Sequence, residues 1–127
     1  MAATIYYAAD ADPTKLEGKK IAILGYGSQG HAHALNLQES GHNVIVGLYK
    51  GSSSIKKAEE DGLQVMESAE ACKNADIIMM LVPDHLMGQI YSEDVLPNLL
   101  PGNTLMFAHG FSTVSYTHLT LPTNREV

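Results

Sequence analysis

Ile21-Ala22-Ile23-Leu24-Gly25-Tyr26-Gly27-Ser28-Gln29-Gly30-His31-Ala32-His33-Ala34 is the stretch that decides the fold. An apolar run enters a Gly-x-Gly-x-x-Gly turn, and an Ala-rich segment opens out of it. That order is the fingerprint of a βα unit that binds a dinucleotide pyrophosphate. Gly25 suits the tight turn, Gly27 admits the diphosphate to the backbone, and Gly30 lets the helix pack on the strand. The free N–H groups and positive dipole end of that helix then face the phosphates. A bare glycine triplet also occurs in ordinary loops. The strand before it, the helix after it and the next strand on schedule carry the functional reading.

Outward from that turn, Lys20 to Leu24 reads as a first strand whose unbroken apolar run fits burial on both faces. Ser28 to Ser40 reads as a helix closed by Gly41 in a left-handed cap. Val44 to Leu48 is a second strand, and Gly51-Ser52-Ser53-Ser54 a polar loop. A short helix over Ile55 to Asp61 ends at Gly62; a short strand over Leu63 to Val65 and a helix over Glu67 to Lys73 follow. Ala75 to Val82 holds the apolar run of a central strand, stopped by Pro83. Asp84 is expected to cap the next helix, which runs through Gln89 and Tyr91. Val95 to Leu100 reads as a further short helix and Thr104 to Ala108 as the last clear strand. Strands alternating with helices at this spacing imply an α/β, Rossmann-type doubly wound parallel sheet. Residues 1 to 18 read as a lead-in segment.

The chain has 127 residues, enough for one domain with a modest core. Apolar content of 45% and charged content of 17% describe a soluble globular chain. No run approaches the ~18 apolar residues of a membrane span, and the start lacks the basic region of a signal peptide. A net charge of −6 argues against nucleic acid as the main partner. A single cysteine, Cys72, fits a reducing cytoplasm and reads as a helix packing residue. The expectation is a cytoplasmic protein with neither nucleic acid nor membrane as partner.

The end of the second strand judges the adenosine ribose. An Asp or Glu there accepts from the 2′-hydroxyl of NAD. Here the strand ends Val46-Gly47-Leu48-Tyr49-Lys50, without a carboxylate. Lys50, Ser52, Ser53 and Ser54 offer the cation and hydroxyls that a 2′-phosphate favours. The expected cofactor is therefore NADP(H) rather than NAD(H). The same serines also suit a plain solvated turn with a cap for the helix at Ile55, and Ser54 can serve both purposes.

The residues quoted from Lys20 to Ala34 closely resemble the N-terminal domain of ketol-acid reductoisomerase (acetohydroxyacid isomeroreductase). The resemblance continues through Val46-Gly47-Leu48, Lys57-Ala58-Glu59-Glu60-Asp61-Gly62, Leu81-Val82-Pro83-Asp84, Pro97-Asn98-Leu99 and Phe107-Ala108-His109-Gly110-Phe111. It implies an enzyme of valine, leucine and isoleucine biosynthesis. Such an enzyme converts 2-acetolactate or 2-aceto-2-hydroxybutyrate to a 2,3-dihydroxy acid by Mg²⁺-assisted alkyl migration and then hydride transfer from NADPH. Beside the fingerprint glycines Gly25 and Gly30, it implies cofactor contacts at Tyr26, Gly27, Ser28 and Gln29, at Tyr49, Ser52 and Ser54, and at Asp84, His85, Leu86 and Met87. The family usually has Arg at the place of Tyr49; a Tyr ring can still stack on adenine, and Lys50 can partly replace the charge. His109 matches the family's active-site histidine, placed at the carboxyl end of the last clear strand where a proton relay belongs. His31 and His33, at i and i+2, do not share a helix face, so no metal site is expected from them.

The resemblance stops after Phe111, giving a partial dinucleotide-binding domain over residues 1–111. Residues 112–127 include Val114-Ser115-Tyr116-Thr117-His118-Leu119, which resembles a translated sequencing-library adapter, and the segment is expected to be non-native. The family continues into further strands and a helical domain carrying acidic Mg²⁺ ligands. The sheet here is therefore expected to be incomplete, metal ligands none, and the fragment alone inactive. The whole protein is expected to form a homo-oligomer and to act on a small 2-hydroxy-keto acid. Two other readings stand beside this one: another NADP-dependent dehydrogenase of the same fold, and a non-catalytic NAD(P)-binding regulatory module. His31-Ala32-His33 and Ala108-His109-Gly110 speak against the first.

Overall fold

The computed structural model describes residues 2–108. Five parallel strands form one sheet in the order β3-β2-β1-β4-β5. They are β1 Lys20–Leu24, β2 Asn43–Leu48, β3 Gln64–Glu67, β4 Ile77–Met80 and β5 Thr104–Phe107. Helices α1 Ser28–Glu39, α2 Ser54–Glu60, α3 Ser68–Asn74 and α4 Asp84–Ile90 alternate with them. After α4 the chain widens into a π-helical turn, Tyr91–Val95, and tightens into a 3-10 turn, Leu96–Asn98. This is the doubly wound parallel sheet expected from the alternation of elements.

The pleat of β1 explains its unbroken apolar run. Ile21 and Ile23 face one side, Ala22 and Leu24 the other, and all four are buried. The first side packs with Ala34 of α1, Ala58 of α2 and Leu63. The second packs with Ala71 and Cys72 of α3, Met87 of α4, and Tyr91 and Val95 of the π-turn. Alanines at the contact positions of α1, α2 and α3 let each helix sit close to the sheet. Burying a side chain such as Ile23, Leu24 or Ile78 contributes about 2 kcal/mol. Cys72 lies within this core, where burial foremost and then the charge of Asp94 push its thiol up to about 12; it is a packing residue, as its sequence context implied.

Several boundaries move, each for a local reason. Asp84 does not cap α4: Pro83 holds the cap position, Asp84 is the first helical residue, and no side chain caps that end. Pro83 is extended and lacks an N–H, which sets up the helix start in place of a capping carboxylate. The expected helix over Val95 to Leu100 is instead the π-turn followed by the 3-10 turn, because Pro97 cannot donate into an α-helical ladder. Strand β4 ends at Met80; Leu81 donates one last bond to the carbonyl of Leu24 at 2.9 Å and the chain then leaves the sheet. The strand after Gly62 starts at Gln64 rather than Leu63, whose side chain packs into the core beneath α2.

Candidate dinucleotide site

The chain winds from β1 through β2 to β3 on one side, then crosses to β4 on the other side of β1. Open α/β sheets bind ligands at that switch point, outside the carboxyl ends of the strands. A cleft of about 500 Å³ lies there. The turn after β1 supplies Gly25, Tyr26, Gly27, Ser28 and Gln29; the end of β2 and its loop supply Gly47, Leu48, Tyr49, Ser52, Ser53 and Ser54. Ser68 opens α3 on one wall. Leu81, Val82, Pro83, Leu86, Ile90 and Asp94, from the end of β4 through the π-turn, also line the cleft.

The three glycines of the turn have three different causes. Gly25 has φ +101°, and a Cβ there would sit 2.8 Å from the carbonyl oxygen of Leu81. A Cβ on Gly30 would sit 2.3 Å from the carbonyl oxygen of Gly25, so Gly30 serves the approach of α1 to the turn and does not itself line the cleft. Gly27 has an ordinary φ of −75°, and among the described residues nothing beyond its chain neighbours lies within 4 Å of its missing Cβ. The protein's own packing gives no reason for glycine at 27. A group occupying the cleft does, since a phosphate approaching the backbone would meet that Cβ. No side chain caps α1 at Gly27, which leaves the first-turn N–H groups for an anion. The residues present therefore fit a dinucleotide diphosphate.

The turn is held from behind. Tyr26 is buried, and its phenol donates to Asp61 Oδ2 at 2.6 Å. Burial foremost, then the bond to the Asp61 carboxylate and its charge, push the phenol well above its ordinary range. His31 meets the Tyr26 ring edge-on, with centroids 5.3 Å apart, and its Nε2 lies 3.4 Å from Asp61 Oδ2. Lys57 Nζ stands 3.8 Å from the same oxygen. The Tyr26 hydrogen bond first, then Lys57 and His31, hold the Asp61 carboxyl below the usual carboxylate range.

In the serine loop, Ser52 is buried and its Oγ accepts from the Ser54 N–H at 3.2 Å. Ser54 is the first residue of α2 and not its cap; Ser53 holds the cap position without a side-chain cap bond. Tyr49 stands at the rim, 70% exposed, with its ring unpacked against the protein. Lys50 is exposed and does not line the cleft. Of the α4 residues, Leu86 lines it; Asp84 and His85 are exposed on the first turn away from it, and Met87 is 3% exposed within the core. His109 and the segment 112–127 lie outside the described residues. Sequence reading missed Gly47, Leu48, Ser68, Leu81, Val82, Pro83, Ile90 and Asp94 as cleft residues. Only Gly47 carried a signal: a Cβ there would lie 2.5 Å from Leu24 Cδ2 and 3.1 Å from the Ala71 Cβ, so α3 demands a glycine in a strand that would otherwise disfavour one. Asp94 is half-buried in the wall, and burial, then the nearby charges of Glu93 and Glu67, raise its carboxyl above the usual range.

A parallel sheet with a glycine turn, an uncapped helix and a cleft at the switch point defines a Rossmann-type nucleotide-binding domain. Residues 15–127 match the NADPH-binding domain of acetohydroxy acid isomeroreductase, and the chain belongs to that family. The ketol-acid reductoisomerase (NADP(+)) of Chloroherpeton thalassium is 54% identical over 123 residues, which cover 97% of this chain and 36% of that protein. An NADH-preferring ketol-acid reductoisomerase from an uncultured archean superposes with a TM-score of 0.84 at 36% identity, over 87% of this chain and 35% of its own. The 3-hydroxyisobutyrate dehydrogenase of Mycobacterium tuberculosis superposes with a TM-score of 0.63 at 27% identity, over 70% and 31%. The chain thus spans about a third of the length of these relatives.

Proposed function

We propose that this chain is the part of a ketol-acid reductoisomerase that binds NADP(H), with the diphosphate on the glycine turn and the 2′-phosphate on the serine loop. The observation that carries it is Gly27, whose missing Cβ meets no group of the described residues although its backbone angle would accept any residue. The absence of a carboxylate after β2, where Tyr49, Ser52, Ser53 and Ser54 line the cleft instead, supports the phosphorylated cofactor. When bound, NADPH supplies a hydride. The chain's own residues hold the diphosphate on main-chain donors, give hydroxyls to the 2′-phosphate, and offer the Tyr49 ring and the apolar wall of Leu48, Val82 and Leu86 to adenine.

The whole protein, on this reading, is a cytoplasmic homo-oligomer. It isomerises and reduces 2-acetolactate or 2-aceto-2-hydroxybutyrate in branched-chain amino acid biosynthesis. The isomerisation calls for Mg²⁺ held by carboxylates. Among the described residues no three His, Cys, Asp or Glu side chains gather as a metal site. Among the described residues, too, no helix is long and apolar enough to cross a membrane. Titrating the chain with NADPH and with NADH, read by cofactor fluorescence, tests the cofactor assignment. Saturable binding that is tighter for NADPH supports it. Equal affinity for the two, or tighter NADH, removes the role given to the serine loop; binding of neither removes the site.

A further inference from the structure

We propose that Asp61 is a positioning residue for the dinucleotide, bracing the glycine turn against the far end of α2 through Tyr26. This rests on the reading of the cleft as an NADP(H) site. Tyr26 sits between Gly25 and Gly27. Two glycines leave the backbone loose unless something else fixes it. Among the described residues no side chain packs at the missing Cβ of Gly27. Main-chain bonds hold the two ends of the turn, from the Gly25 N–H to the Gly47 carbonyl at 3.1 Å and from the His31 N–H to the Gly27 carbonyl at 2.9 Å. Between them the Tyr26 ring is the side-chain anchor of the turn, buried among the residues under α1 and α2, with its phenol 2.6 Å from Asp61 Oδ2.

Asp61 is an unexpected residue for its place. It closes α2 at the C-terminal cap, where a helix dipole disfavours negative charge. The position is justified by what the carboxylate reaches: the Tyr26 phenol on the turn, His31 Nε2 on α1 at 3.4 Å, and Lys57 Nζ one turn back on α2 at 3.8 Å. Just before the other end of α2 lie Ser52 and Ser53, with Ser54 as its first residue, in the cleft wall. The helix thus connects the serine loop to the glycine turn, and the Asp61 contacts set the separation of the two phosphate sites. Ligands that span both sites depend on the brace; ligands that occupy the serine loop alone do not.

The test compares Tyr26→Phe, Asp61→Asn and the double variant in the full 127-residue chain, with NADP⁺ and 2′-AMP as ligands. Each single change should weaken NADP⁺ about tenfold, the size of one lost hydrogen bond to a charged group. The double variant should be no weaker than the weaker single one, because both break the same contact. Affinity for 2′-AMP should stay within about twofold of wild type. Unchanged NADP⁺ affinity, additive losses, or equal weakening of both ligands would overturn the brace. Should Asp61→Asn fail to fold by circular dichroism, Tyr26→Phe decides alone, since it removes one oxygen and leaves the ring packed. A wild-type chain that binds neither ligand overturns the cofactor reading, and the brace with it; a wild type that binds with variants unaffected overturns the brace only.

Discussion

Two loops end at the same cleft and are built in opposite ways. The glycine turn after β1 works through main chain: its positive φ, its close approaches to Leu81 and to α1, and its free N–H groups need no side chain at the ligand. The serine loop after β2 works through side chains: a buried Ser52, two further hydroxyls, and an exposed Tyr49 ring. A main-chain site is written into the sequence as glycines, because few other reasons demand them in that spacing. A side-chain site depends on where each side chain goes, and Lys50 shows this by standing outside the cleft beside the serines that line it.

The sharpest break of that comparison lies inside the glycine turn. Gly30→Ala places a Cβ 2.3 Å from a backbone oxygen that cannot move aside. Urea unfolding should show a loss of about 3 kcal/mol, at the upper end for forced overpacking. A wild-type midpoint would sink the steric account. Gly27→Ala should do the reverse: stability within about 0.5 kcal/mol of wild type, as for a substitution in open space, with NADPH binding weakened at least tenfold. If Gly27→Ala binds NADPH normally, the empty space at Gly27 is not a phosphate seat.

The serine loop is sharpened by Ser54→Asp. A carboxylate as the first residue of α2 should stabilise the helix by about 0.5 kcal/mol while opposing a 2′-phosphate, so the melting temperature rises as NADPH affinity falls and NADH affinity holds. Parallel loss of both cofactors would show that Ser54 does not read the 2′-phosphate.

The smallest effects separate two carboxylates by sign. Asp61 is held below its unfolded value, so it stabilises the fold above the ordinary carboxylate range, and that stability is lost as pH falls through its lowered value. Tyr26→Phe should flatten this part of the stability curve. Asp94 is held above its unfolded value, so it opposes folding at neutral pH and the opposition fades as pH falls through its raised value. Asp94→Asn should give a small gain in melting temperature at pH 7 that disappears in acid. A loss at pH 7 would mean that Asp94 makes a favourable contact the charge argument omits.

Most of the architecture was legible because it follows from period and punctuation. The apolar runs of β1 and β4, Gly41 and Gly62 at positive φ after α1 and α2, and Pro83 after β4 placed elements within a residue or two. The misplaced details share one cause: they depend on what lies across space. Asp61 carried no sequence signal of its role because its partners are Tyr26, 35 residues away in sequence, and His31. Asp94 carried none either, because nothing local says that the chain after α4 widens into a π-turn and places it in the cleft wall.

By itself, then, the sequence determined the parallel sheet, the glycine turn, the missing carboxylate after β2 and, through these, the family. Backbone conformation and strand burial are short-range or periodic properties, and residue types report them directly. The tertiary structure alone decided which of Tyr49, Lys50, Ser52, Ser53 and Ser54 reach the cleft, which residues of α4 line it, and that Asp61 braces the turn. Those outcomes depend on side-chain direction and on contacts between elements far apart in the chain, which become definite only once the sheet has brought the ends of β1, β2 and β4 together.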